Sequence, residues 1–344
     1  GALGQKELPA IVDESFSVAA DYISMRPARD APDDELLDYM AAMAEPVEVV
    51  FRNHLTTTAL ASIVSGVLGD AAVAAGEPGL VTHLLGTAGD VRSARYSREL
   101  YELAKLARSI PAVNAAFDEG VVGLLDRLDG VDGADAFRDR FDEFVAEHGH
   151  RGPNDWELSG RTWDNTPELA LVAIDRMRVA EGELAVVHDD EAEEAQRAAA
   201  IAKVRPSLNV LDRLNFDKAI KAAPIWSQAR EATRDRAVRC TLPAKQVYRE
   251  LVRRGAERGG YADPVAVALL SPSEELADYL AEPASKADVL AERLALHARF
   301  AAVTPRFYIT SQDEVPSIEE LEAEQAERGA ATAAAPGDLS LIHI

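Results

Sequence analysis

ADAFRDRFDEFVAE, Ala134 to Glu147, sets Phe137, Phe141, Phe144 and Val145 at steps of four, three and one, which puts them on one face of an α-helix. Working outward, most segments between Gly and Pro punctuation repeat apolar residues at helical spacing, and β-branched runs of period two are missing. Pro32-Asp33 opens a helix carrying Leu36, Leu37, Tyr39 and Met40, and Pro46 opens a longer one reaching about Leu68. Gly76 to Gly79 reads as a turn before a short helix. Ser93 or Ser97 is expected to cap the helix bearing Leu100, Leu103 and Leu106, and Pro111 to start one running to Asp129. Thr166-Pro167-Glu168 has the form of an N-cap with Pro at the first helical position. Pro206 and Pro224 are expected to open later helices, the second running from Ile225 to Gly259-Gly260 with a kink at Pro243. Ser271 to Glu275 is expected to open another helix and Ser285 to Ala302 to form the last long one. Only Arg306 to Thr310 reads as a strand. The expected fold is mainly α: a large multi-helix domain with long helices, irregular connecting loops and little or no sheet.

The 344 residues, 47% of them hydrophobic, suffice for a sizeable core. With 36 Lys and Arg against 59 Asp and Glu, the formal charge of -23 repels phosphate backbones and anionic lipid. Nucleic acid and membrane are therefore not expected as partners, although a local Arg pocket could hold an anion. Cys240 is the single cysteine, which excludes an internal disulfide and Cys-rich metal sites and fits a reducing cytoplasm. No basic-then-apolar leader opens the sequence, and windows such as Ala71 to Ala75 are too short to span a bilayer.

Directly after the Phe-rich helix comes HGHRGPNDWELSGRTWDNTP, His148 to Pro167, where reactive side chains are concentrated. Arg151 is a planar fork suited to phosphate or carboxylate, and Gly149 and Gly152 let backbone approach a ligand. His150 can exchange a proton near neutral pH, with Glu157 or Asp155 to orient it or act as base. Trp156 and Trp163 could stack on a planar substrate or exclude water. The competing reading is structural: Arg151 pairs with Glu157 or Asp164 to brace a long connection, and the tryptophans plug the core. His148 and His150 lack a third ligand at metal-site spacing, so no metal is assigned. A second constellation, Arg230-Glu231-Ala232-Thr233-Arg234-Asp235-Arg236, places Arg230 and Arg234 on one helix face, either for an anion or for pairing with nearby carboxylates. GxxxxGK[ST], GxGxxG and GxSxG motifs are absent.

Gly149-His150-Arg151-Gly152-Pro153-Asn154, with Trp156-Glu157-Leu158, Thr162-Trp163 and Pro167 to Arg178, resembles the central region of the phosphoenolpyruvate-utilising enzyme family, which includes phosphoenolpyruvate synthase-like proteins and rifampicin phosphotransferases. The Arg230 to Arg234 helix, Leu270 to Leu276 and Arg306 to Ile309 resemble later landmarks, in order from about Asp33 to Ile318. The resemblance implies an ATP-dependent dikinase-type phosphotransferase: ATP, with Mg²⁺, goes to AMP and phosphate, and a phosphohistidine on a swivelling domain passes its phosphoryl group to a small-molecule acceptor. This chain would be the helical acceptor-binding module. Its partners would be the ATP-binding and phosphohistidine domains of the same chain, without which it is expected to be inactive. Arg151, Arg230, Arg234, Trp156 and Trp163 would then bind acceptor or anion, and His150 or Glu157 would deprotonate or orient the acceptor. Gly160-Arg161-Thr162 departs from the family pattern, which leaves acceptor specificity open. Residues 1–32 are expected to be the lead-in of a truncated chain. Residues 33–329 are expected to form the helical central domain, open to division into two subdomains meeting near 148–166. A linker is expected over 330–338, before a tail at 339–344, LSLIHI, that resembles sequencing-adaptor read-through. The alternative is a non-catalytic helical scaffold or interaction domain.

Overall fold

The computed structural model describes residues 8–85, 92–180, 190–270, 274–306, 311 and 315–334. It is almost entirely helical, with long helices joined by irregular loops and no sheet among the described residues. The chain divides into a first unit, Gly1–Glu250, and a second, Leu251–Ile344.

In the first unit α1 (Leu8–Ser24), α2 (Asp33–Ala42) and α3 (Ala44–Ala74) precede α4 (Val81–Leu85), α5 (Arg92–Ser109), α6 (Pro111–Asp118) and α7 (Leu124–Arg127). Then follow α8 (Asp135–His148), α9 (Glu168–Val179), α10 (Asp190–Val204) and α11 (Val210–Glu257), whose last residues enter the second unit. One core gathers Leu103, Phe117, Phe137, Phe141, Phe144 and Ile174, so the phenylalanine stripe faces inward as its spacing predicts. Another joins α3, α4, α10 and α11 through Leu68, Leu84, Val204, Phe216 and Trp226. The residues read as a lead-in include α1, which is tied to α2: Tyr22 and Tyr39 stack at 4.5 Å and each hydroxyl donates to the other's backbone carbonyl. Asp33–Ala74 contains a stretch long and apolar enough, by length and composition, to cross a bilayer, longer than the window weighed from sequence. Within it α3 buries Asn53, which donates to Glu14 and Ser15 of α1.

Several helix boundaries differ from expectation. Both Ser93 and Ser97 lie inside α5, not at its cap. The helix from Pro111 breaks at Gly120 and Gly123, which take φ of 102° and 66°, a region closed to most side chains. Thr166 does not cap α9; its hydroxyl donates to Asn165 Oδ1. Pro224 opens no helix but sits inside α11. Without an N–H, Pro224 leaves the Ile220 carbonyl orphaned, and Arg197 Nη2 donates to that oxygen at 2.7 Å.

In the second unit α11 ends and is followed by α12 (Pro264–Val267), α13 (Glu275–Ala281), α14 (Ala287–Ala302) and α15 (Ile318–Ala334). The helix ending at Ala302 is therefore not the last, and α15 runs into the stretch read as a linker. Residues 307–310 of the expected strand, 271–273 of the expected helix start, and 335–344 lie outside the described residues.

Candidate functional site

At the end of α8 the backbone does not straighten into a simple connection. Trp163 N donates to Arg151 O at 2.8 Å and Asp164 N to Gly149 O at 3.0 Å, so the loop doubles back on itself. Gly152 permits this, because a Cβ there would overlap the Arg161 carbonyl. Trp163 packs against Phe144 and Tyr96, at 5.2 and 5.7 Å between ring centroids, and anchors the loop to the helical core.

Asp155 organises the charges. Buried at 6% exposure, it accepts from Gly152 N at 3.0 Å and holds Arg151 Nη1 and Arg234 Nη2, each at 3.2 Å, on one carboxylate oxygen. Its backbone carbonyl accepts from the buried Lys245 Nζ at 2.9 Å. Arg151 and Arg234 line a narrow cleft together with Arg95, Arg239, Glu147 and Asp235, and the free space there is about 20 Å³, room for one water-sized group. Arg151 also lies over the Tyr96 ring at 5.4 Å.

His150 lies beneath this cleft, 2% exposed, with Nε2 3.0 Å from Asp235 Oδ1. Burial lowers its pKa below the ordinary histidine value and outweighs Asp235, so the ring is neutral at pH 7. Burial alone would raise Asp235, but the His150 hydrogen bond and Arg239, 2.9 Å away, hold it well below the usual carboxylate range. His148 is buried too, 3.3 Å from Glu99. Glu157 is exposed and accepts from Ser159 Oγ at 3.1 Å. Among the described residues no group of His, Cys, Asp and Glu gathers to hold a metal ion, His148 and His150 included. Cys240 is buried, and burial pushes its thiol up to about 11.

The remaining site residues lie around a side chain not singled out from sequence. Trp156, 42% exposed, has its ring centroid 6.2 Å from that of His54 and 4.8 Å from that of Phe51. His54 Nδ1 lies 3.4 Å from Thr233 Oγ1, which is 2.8 Å from Thr57 Oγ1 and so is fixed between α3 and α11. Burial lowers the His54 pKa and the charges of Arg234 and Arg230 lower it further, against the opposing effects of a hydrogen bond to the Arg230 backbone and of Glu231. Arg230 is partnered by Glu231 at 2.6 Å. It also closes one end of a cavity of about 330 Å³ lined by Ala61, Ser65, Ala223 and Ser227. Residue numbers rise along α3 as they fall along α11, so the helices run antiparallel, and His54 lies on α3 about two turns before Ala61, on the side of the cavity that Arg230 closes. A further cavity of about 430 Å³ lies by Asp164 and Arg249, whose Nη2 donates to Gly160 O at 2.7 Å.

Arginines drawn from a loop and two helices, each set against a carboxylate, thus meet in one cleft of an all-α module. A family model described as the rifampicin phosphotransferase fourth domain matches residues 48–236, more than half of the chain and inclusive of the loop, Arg230 and Arg234. The chain belongs to that family, which accords with the phosphoenolpyruvate-utilising enzymes. No curated protein matches it.

Asp235, Arg239, Lys245 and His54 complete the arrangement. The i,i+4 pair Asp235–Arg239 was readable on α11, whereas no local pattern marks His54 or Lys245.

Proposed function

We propose that this chain is the acceptor-binding module of a cytoplasmic, dikinase-type phosphotransferase that splits ATP to AMP and phosphate and passes a phosphoryl group through a phosphohistidine on another module. Trp156, Arg230 and Arg234 gathered around His54, on the side of a cavity of about 330 Å³ that Arg230 closes, carry the reading. The cavity falls within the usual range for small-molecule sites. Trp156 would stack on the acceptor, and Arg230 and Arg234 would neutralise charge on the incoming phosphoryl group. Asp155 holds both Arg151 and Arg234, and Trp163 holds the loop. His150 is sealed against Asp235 and acts as a positioning group. Mg²⁺ and ATP belong to the ATP-binding module; the described residues offer no cluster for a metal, and no step here is routed through it.

The test uses the intact enzyme with its ATP-binding and phosphohistidine modules and ATP labelled at the β-phosphorus. Label should enter protein in acid-labile form and then reach a hydroxylated acceptor. Arg230→Gln and Arg234→Gln should keep the protein label and lose transfer. Label that never leaves ATP overturns the proposal. The rival reading, a helical scaffold braced by the loop, is favoured by the pairing of Arg151 and Arg234 with Asp155, and predicts intact transfer in both variants.

A further inference from the structure

His150 is enclosed against Asp235, and His148 is buried against Glu99 beside a cleft with room for only one water-sized group, too small for an acceptor. His54 is only half-buried, its plane is held by Trp156 on one side and by Thr233 at Nδ1, and Nε2 is left on the opposite edge of the ring. The Thr57–Thr233 contact removes the freedom that a ring on a lone helix would have. We propose that His54 is the group that takes the proton from the acceptor hydroxyl, the acceptor being a planar phenol or alcohol whose ring lies on Trp156 and whose apolar remainder extends along the α3–α11 groove. This rests on the phosphotransfer reading above.

In the step, the acceptor oxygen forms the new P–O bond while the P–N bond of the phosphohistidine breaks. The pair of electrons from that bond stays on the donor imidazole, and the hydroxyl proton passes to His54 Nε2. The surroundings suit a base. Burial keeps the ring neutral before reaction and outweighs the opposing hydrogen bond to the Arg230 backbone, while the charges of Arg234 and Arg230 on α11 act in the same sense as burial. Glu231, also on α11, is the nearby carboxylate that stabilises the imidazolium formed. From the loop the uncharged Trp156 ring stacks on it, and Phe51 lies close by on its own helix.

The experiment compares the intact enzyme with His54→Asn and His54→Ala, using β-labelled ATP and a panel of simple phenols and aryl alcohols. Wild type should transfer label with a rate that rises through an apparent pKa below about 6.5. His54→Asn should still form AMP and acid-labile protein label, while kcat for transfer falls by about 10²–10⁴, KM changes little and the pH-dependent rise flattens. Added imidazole should restore transfer to His54→Ala, which a merely structural role would not allow. Transfer at the wild-type rate in His54→Asn, or a lost rate in His54→Ala that imidazole does not restore, overturns the assignment and leaves the phosphotransfer reading intact. Failure of wild type to move label out of ATP overturns both.

Discussion

Lys245 offers a quantitative test of how the loop is held. It is 1% exposed, and its Nζ donates to the Asp155 carbonyl. Burial pushes the ammonium down to about 8, Arg249 adds to the effect, and Asp155 and Glu157 oppose it. A lysine whose folded pKa lies below its unfolded value of about 10.4 binds fewer protons in the folded state across that interval, so stability must rise with pH there. The penalty for the buried charge is felt in full below the folded pKa and relieved as pH approaches the unfolded one. With a folded value of about 8, the gain between pH ~7 and ~9.5 comes to roughly 2 kcal/mol. Lys245→Met retains most of the stem and removes the titration. Urea unfolding of this chain and of the variant, followed by tryptophan fluorescence at several pH values over that range, gives the difference directly. Groups common to both proteins cancel, and Tyr22 and Tyr39 are raised by burial beyond the range scanned. The stability of wild type relative to variant should climb by about 2 kcal/mol. A difference that stays level within about 0.5 kcal/mol would show that the ammonium is solvated and that the buried Lys245–Asp155 contact is wrong.

Asp155→Asn keeps an acceptor for Gly152 N–H but removes the charge between Arg151 and Arg234. Leaving the two guanidiniums uncompensated should cost about 3 kcal/mol, or a Tm lower by roughly 6–12 °C in calorimetry. A change below about 2 °C would mean that the three side chains do not form one unit. Gly152→Ala should cost about 2–3 kcal/mol by the same measurement, since its Cβ would strike the Arg161 carbonyl and lie 3.1 Å from Thr162 Cα. Gly79→Ala, where no atom lies within 4 Å, should change stability little, and equal effects at both positions would refute the close approach.

The helical class and the inward phenylalanine face were legible because both depend on spacing within one helix, where a residue and its third or fourth neighbour must share a side. The loop was legible as a concentration of functional groups, and its order carried the family resemblance. Prolines misled at Pro224, because the carbonyl it orphans is satisfied by Arg197 on a different helix. Of the paired readings of Arg151, as an anion fork or as a brace, its actual partner is Asp155 rather than Glu157 or Asp164, a choice made by the folded-back backbone.

Composition and periodicity by themselves determined an all-α chain, a negative surface and the stretch in which Arg, His and Trp would be found together. The site depended on contacts that local pattern cannot encode: His150 with Asp235 across 85 positions, Lys245 with Asp155 across 90, and His54 with Thr233 across 179. Those distances close only when α11 lies against α3 and beneath the loop. Tertiary burial then decides which imidazole is enclosed and which is only half-buried, because solvent access and charge partners belong to the packed chain and not to the residue type.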